Sequence, residues 1–210
     1  MPAPTLRDFP LFPLGLVALP TESVPLHIFE DRYLRMIAHC MEGEGSEFGI
    51  LWLSDDELKQ TGCACRVEEV LERMPDGRLN ILARGTRVFR LLERQDDLAY
   101  PAGVVEFAVD EADEETDELL AASARELYGE LVSQATDREL SLDELAELDA
   151  YRMAGTVEFD LDAKQQLLEL RSENSRMRLL ATLLSAAIER LELLERAQVR
   201  AQSNGKVRFG

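Results

Sequence analysis

Thiol and imidazole chemistry in this chain would have to start from three cysteines and two histidines. Cys63-Ala64-Cys65 puts two thiols on one face of an extended strand, because strand side chains repeat every second residue. With Cys40 and His39 the set reaches the four ligands of a zinc site. However, Cys40 and His39 are neighbours on a predicted helix and point in different directions. No C-x-x-C knuckle supplies the usual local geometry, and a bridge between Cys63 and Cys65 would be strained. Buried, inert thiols are the favoured reading. His27 lies between apolar Leu26 and Ile28 and reads as a hydrogen-bonded strand histidine. It is not read as a general base, because no nucleophile can be placed beside it. His39, beside Arg35 and Glu42, reads as solvated.

Other catalytic patterns are missing. The sequence has no G-x-x-x-x-G-K-[ST] phosphate cradle, no G-x-G-x-x-G turn and no H-E-x-x-H helix. It also lacks a G-x-S-x-G elbow. Gly43-Glu44-Gly45 lacks the third glycine and the preceding strand. No D-x-[DN]-x-[DN]-G loop for calcium occurs. The expectation is therefore no catalytic residue, no metal ligand and no cofactor.

The 210 residues carry 23 Lys+Arg against 41 Asp+Glu, a net charge of -18. Affinity for nucleic acid rests on clustered cations, so this balance disfavours it, and equally disfavours an anionic membrane. At 46% hydrophobic and 30% charged residues the composition is that of a soluble globular protein. Three cysteines are too few, and odd in number, for a disulfide framework, which points to a reducing cytoplasm. The most apolar run, Leu179 to Ile188, is interrupted by Thr182 and Ser185 and is too short to span a bilayer. The proline-rich start does not resemble a signal peptide.

The elements that must position any site change character midway. Phe9 to Leu14 is apolar but holds Pro10 and Pro13, which predicts an edge strand or extended arm. Val24 to Ile28, Phe48 to Leu53 and Val104 to Val109 read as strands. Arg66 to Met74 and Leu79 to Arg84 flank Pro75-Asp76-Gly77, the strongest hairpin signal. Gly85 predicts a sharp bend before a further strand, Arg87 to Arg94. One helix, Asp31 to Met41, interrupts them, with Tyr33, Met36, Ile37, Cys40 and Met41 on its apolar face.

Helical patterns follow. Asp110 to Glu118 holds seven acids and no base, which reads as a linker and the first turn of a helix. Leu120, Ala124, Leu127, Leu131 and Ala135 form an apolar stripe. Ser141 with Glu144 forms a capping box, and Asp160 or Asp162 opens another helix. Ser172 or Asn174 caps the last and longest one, striped by Met177, Leu180, Leu184, Ala187, Leu191 and Leu194. The expected plan is α+β: a β-barrel with one inserted helix over 1–110, a helical bundle ending in a long helix over 111–202, and a disordered tail over 203–210.

Particular pieces carry a resemblance. Phe12-Pro13-Leu14 precedes Val24-Pro25-Leu26-His27-Ile28-Phe29-Glu30-Asp31-Arg32-Tyr33. Glu47-Phe48-Gly49-Ile50 and Gly62-x-x-x-Arg66-Val67 follow, then Pro75-Asp76-Gly77-Arg78 and Gly85-Thr86-Arg87-Val88-Phe89-Arg90. Their order and spacing resemble the N-terminal, substrate-binding domain of the ATP-dependent Lon protease in a stand-alone form. The resemblance continues more weakly through Leu161 to Glu169. It implies a PUA-like barrel with an attached helical bundle, which binds unfolded or partly unfolded polypeptide and has no catalytic residues.

The signature residues Pro25, Phe29, Glu30, Arg32, Tyr33, Phe48, Gly49, Gly62, Pro75, Asp76, Gly77, Gly85 and Arg87 are read mainly as structural. Phe29 and Tyr33 are expected to seed the junction of helix and barrel. Phe12, Met36, Met41 and Trp52 are candidates for adaptable peptide contact, with core packing as the alternative for each. The expected function is a non-catalytic polypeptide-binding module, an adaptor or accessory to an ATP-dependent protease, with a homodimer through the last helix as a further possibility. The alternative is a PUA-like RNA-binding module, which would need Arg84, Arg87, Arg90 and Arg94 on one face.

Overall fold

A computed structural model describes residues 5–43, 46–55, 57–95, 97–110, 115–136 and 138–204, with side chains through residue 197. The strands are β1 (Thr5–Leu14), β2 (Ser23–Ile28), β3 (Phe48–Ser54), β4 (Glu57–Leu58), β5 (Thr61–Arg73), β6 (Leu79–Gln95) and β7 (Ala102–Phe107). Helix α1 (Asp31–Glu42) lies between β2 and β3. Five helices follow: α2 (Glu118–Thr136), α3 (Leu142–Ala146), α4 (Ala150–Ala154), α5 (Leu161–Glu169) and α6 (Glu173–Asn204). No described helix is long and apolar enough to cross a membrane. The expected tail falls at 205–210 outside the described residues, while 203 and 204 belong to α6.

The strands close a ring. The order β1-β7-β6-β5-β3 returns to β1 through a parallel β1–β3 pairing. β1 is therefore not the edge strand expected from its prolines. Thr5 to Pro10 pair with β7 and Leu11 to Leu14 with β3, so the strand changes partner partway along. The prolines stand around this hand-over, where Leu11 N–H donates to the Pro101 carbonyl, and a closed ring leaves fewer open edges.

Strand parity sorts two cores. Phe9, Leu11, Leu51, Ala64, Phe89, Leu91, Val105 and Phe107 fill the barrel lumen. Phe9 meets Phe89 and Phe107 edge-on at 5.4 and 5.6 Å. Phe12, Phe48, Ile50, Cys63 and Cys65, of opposite parity, face outward and join α1 and the later helices in one larger core. Cys63 and Cys65 do share a face, as their spacing predicts.

The Pro75-Asp76-Gly77 turn forms as expected. Gly77 takes φ +91, and Asp76 Oδ1 accepts the Arg78 N–H at 3.2 Å. At Gly85 β6 continues as one strand but bulges: Cys65 pairs with Gly85 and Ala64 with Arg87, with Thr86 the extra residue between them, so the expected change of direction takes the form of a bulge within a strand. Glycine is needed there for close approach, because a Cβ would collide with the Leu19 carbonyl.

Among the helices, Ser141 and Glu144 make the full capping box of α3. Asp160 caps α5 through the Ala163 N–H at 2.7 Å. Ser172 Oγ accepts the Ser175 N–H at the start of α6. Asn174 instead holds the preceding linker, accepting from Asp117 N–H and donating to the Glu115 carbonyl, both at 2.8 Å. Polar contacts tie barrel to bundle: Lys164 to Glu22, Gln165 to the Thr61 carbonyl, and Arg176 to Asp110.

Candidate functional site

A surface cleft of about 440 Å³ opens where three pieces of the barrel converge. Leu11 to Leu14 of β1 form one wall. The end of β2 and the start of α1, from His27 to Tyr33, form another. Leu53 and Leu58 from the β3–β4 hairpin stand opposite, with Arg94, Pro101 and Ala102 beside them. Its floor is core, and its rim sets exposed apolar side chains, Phe29 at 60% and Leu53 at 41%, beside the charged Glu30, Arg32 and Arg94.

The Phe29-Glu30-Asp31-Arg32-Tyr33 segment builds the rim. Glu30 occupies the N-cap position of α1, where its carbonyl accepts the Tyr33 and Leu34 N–H groups at 2.9 Å but its side chain makes no cap hydrogen bond. It accepts from Arg32 Nε at 3.0 Å and Nη2 at 2.8 Å. Arg32 lies 4.6 Å over the Tyr33 ring, and Tyr33 packs on Phe12 at 4.2 Å. Burial pushes the Tyr33 hydroxyl above its ordinary pKa, partly opposed by Arg32. Tyr33 thus joins helix to barrel as expected. Phe29 does not: it points outward and stacks on His27, centroids 5.7 Å apart.

The other signature residues lie elsewhere. Pro25 is exposed on β2 and lines a shallow groove next to the cleft. Phe48 is core, and Gly49 and Gly62 make room for the Phe89 ring. Arg87 donates to Glu47 Oε2 at 2.7 Å and covers the Phe107 ring at 3.6 Å. Pro75, Asp76, Gly77 and Gly85 shape the β5–β6 pair. The Arg78 backbone N–H, with its guanidinium, holds the Asp76 carboxyl below its ordinary pKa.

The four residues considered for peptide contact do not share a site. Met36 is wholly buried on the core face of α1 and presents no surface. Phe12 is 4% exposed and contributes only to the cleft floor. Trp52 is buried, with Lys59 Nζ 5.9 Å from its ring. Met41 is half-buried in a separate depression with Cys40, Gly43 and Ser46. Sequence reasoning missed Leu53 and Leu58. No local signal marked them, because β3 buries both faces from Phe48 to Trp52 and Leu53 is only the first exposed position of the same apolar run.

All three cysteines are free and buried. Burial raises the Cys40 thiol to about 11. Burial, reinforced by Cys65, pushes Cys63 well above its ordinary value. Thiolate is thus disfavoured where a nucleophile would need it. No group of His, Cys, Asp and Glu among the described residues is arranged to hold a metal. The arginines an RNA face would use are divided: Arg84 pairs with Glu68 at 3.5 Å, Arg87 with Glu47, and Arg94 lines the cleft.

Comparison with known proteins gives one consistent picture. The family model of the ATP-dependent protease La (LON) substrate-binding domain matches residues 8–186. Lon protease 2 of Herpetosiphon aurantiacus is 26% identical over 218 aligned positions, covering 95% of this chain and 26% of that protein. Lon protease of Xanthomonas oryzae pv. oryzae is 28% identical over 219, covering 95% and 25%. The chain thus spans about a quarter of the length of these curated relatives. Among solved structures, a Lon N-terminal domain protein from Xanthomonas campestris aligns with TM-score 0.62 and 26% identity, over 85% of this chain and 98% of that one. The N-terminal domain of the Mycobacterium avium complex Lon protease aligns with TM-score 0.67 and 22% identity, over 87% and 98%, a likeness of fold.

Proposed function

The chain belongs to the ATP-dependent protease La (LON) substrate-binding domain family, and from that premise we propose that it is a non-catalytic module that holds unfolded or partly unfolded polypeptide in the β1–β2–β3 cleft. The observation that carries this is the cleft rim, where Phe29 and Leu53 are held exposed above an apolar floor. Large apolar side chains that a fold leaves in water beside a concave site suit the apolar residues of another chain. The barrel, read as PUA-like over 1–110, supplies the site, and the helical subdomain over 111–202 buttresses it.

On this reading the protein works in the cytoplasm as an adaptor, presenting clients to a separate ATP-dependent protease. The exposed Leu193 and Leu194 of α6 suit pairing with a second copy.

The test is fluorescence anisotropy with a labelled, permanently unfolded polypeptide. Wild type is expected to bind saturably. Phe29→Asp and Leu53→Asp are each expected to weaken binding about tenfold or more, since losing the burial of one large apolar side chain is worth ~1.5–3 kcal/mol. Failure of wild type to bind, or unchanged binding by both variants, overturns the reading. Tight, salt-sensitive RNA binding at low ionic strength would put RNA in place of polypeptide.

A further inference from the structure

His27 sits where two depressions meet. It lines the cleft on one side, and on the other a groove of about 570 Å³ with Pro25, Leu71 and Asn80. Strand β6 stands between β2 and β5. The pairs His27↔Asn80 and Glu72↔Asn80 place three polar side chains in one row across three strands. Asn80 Nδ2 donates to Glu72 Oε2 at 2.9 Å, and Asn80 Oδ1 lies 2.6 Å from His27 Nδ1.

The row has a direction. A carboxylate only accepts, so Glu72 fixes which end of the Asn80 amide faces it, and the amide oxygen is left for the imidazole. The proton of a neutral His27 ring therefore sits on Nδ1, and Nε2 carries the lone pair. Nε2 has no hydrogen-bond partner among the described residues, on an exposed side chain. Phe29 stacks on the ring at an interplanar angle of 25°, so the imidazole is held at its edge and on its face.

Resting on the polypeptide-binding reading above, we propose that His27 Nε2 accepts a backbone N–H from an extended chain lying through the joined cleft and groove, and so positions that chain. The chemistry of the walls selects this occupant. Phe29, Leu53 and Leu71 are exposed and apolar. Pro13 and Pro25, one in each depression, bring a carbonyl but no N–H. Among these apolar side chains the walls also carry acceptors, His27 Nε2 and Glu30, and donors, Arg32 and Arg94. Their complement has apolar side chains together with regularly spaced N–H and C=O groups, which describes an extended polypeptide.

The experiment uses the full chain and a labelled twelve-residue peptide of Leu, Phe, Ser and Gly, with a set methylated at one backbone nitrogen at a time. His27→Phe keeps an aromatic ring against Phe29 and removes both nitrogens. It is expected to unfold at the wild-type temperature and to bind about tenfold more weakly, the loss of one hydrogen bond. One N-methyl position is expected to weaken wild type by a similar factor and His27→Phe not at all. Asn80→Ala is expected to move the imidazole proton to Nε2, read from ring nitrogen shifts, and to lower affinity. Wild-type affinity in His27→Phe, an N-methyl penalty that persists in that variant, or a wild-type ring protonated at Nε2 overturns the assignment. If Leu53→Asp abolishes binding and His27→Phe does not, only the role of His27 falls. If the peptide does not bind wild type, both readings fall.

Discussion

Lys164 Nζ lies 2.6 Å from Glu22 Oε1, an ion pair between residues 142 apart in sequence whose side chains are 12% and 15% exposed. Glu22 also accepts the Leu19 N–H on its other carboxylate oxygen and the Gly85 N–H on its backbone carbonyl. One residue thus secures the loop before β2, strand β6 and helix α5. Removing one partner strands a charge in a nearly dry site, so Lys164→Ala is expected to cost about 3–5 kcal/mol in urea unfolding. The double change Glu22→Gln with Lys164→Met is expected to recover more than half of that. Additive losses in the double variant would contradict the coupling.

Arg176 is 4% exposed and pairs with Asp110 and Glu173, donates to the Leu170 carbonyl at 3.1 Å, and lies 4.8 Å over the Tyr151 ring. Burial works against its charge, but Asp110, Tyr151 and Glu173 outweigh that and raise its pKa. The buried member is the cation, while Asp110 is half exposed. Arg176→Met is therefore expected to cost about 2 kcal/mol, since water can reach the carboxylates left behind. Asp110→Ala with Glu173→Ala is expected to cost about 3–5 kcal/mol, because it leaves the guanidinium buried and unpaired. The reverse order of denaturation midpoints would contradict this account.

Gly85→Ala is expected to destabilise by about 3 kcal/mol or to yield little soluble protein. Its backbone is pinned on both sides, donating to the Glu22 carbonyl at 2.9 Å and accepting from Thr21 N–H at 2.8 Å, so it cannot retreat from Leu19. Gly15→Ala is the control. No atom lies within 4 Å of a Cβ there, and its effect is expected within about 0.5 kcal/mol.

Alkaline pH is expected to weaken the fold in two steps. Burial holds the Cys40 thiol at about 11 against an ordinary 9.0. Burial, partly opposed by Arg176, holds the Tyr151 hydroxyl at about 12 against 10.0. The folded state keeps protons that the unfolded state releases, so stability is complete below pH 9.0. It falls as pH rises through 11 for the thiol and through 12 for the phenol. Cys40→Ala is expected to reduce the loss that the thiols cause, which Cys63 shares, and Tyr151→Phe the loss that the phenols cause, which Tyr33 and Tyr100 share, in urea titrations repeated across that range.

Local chemistry made part of this fold legible. The Pro75-Asp76-Gly77 turn, the Ser141–Glu144 box, the Asp160 cap and the shared face of Cys63 and Cys65 each depend on residues within a few positions of one another. What distant partners decide was not legible. β1 is paired on both sides only because β7 and β3 divide it, and Gly85 is set by Leu19. The buried face of α2 is Ala121, Ala124, Tyr128 and Leu131, turned from the expected stripe of Leu120, Ala124, Leu127, Leu131 and Ala135. Helix α4 is five residues long, too short to show a period. At the cleft, the sequence marked Phe29 to Tyr33 but not that Phe29 faces outward or that Asn80 and Glu72 aim His27. Those facts come from cross-strand register.

The split pairing of β1 has a consequence for synthesis. Its first six residues find their place only beside β7, which ends at Phe107. Translation proceeds at ~5–20 residues per second. For several seconds the growing chain therefore leaves the ribosome with Phe9 and Leu11 lacking their final neighbours. During that interval the nascent protein is itself an unfolded apolar polypeptide, the kind of client it is proposed to hold once finished.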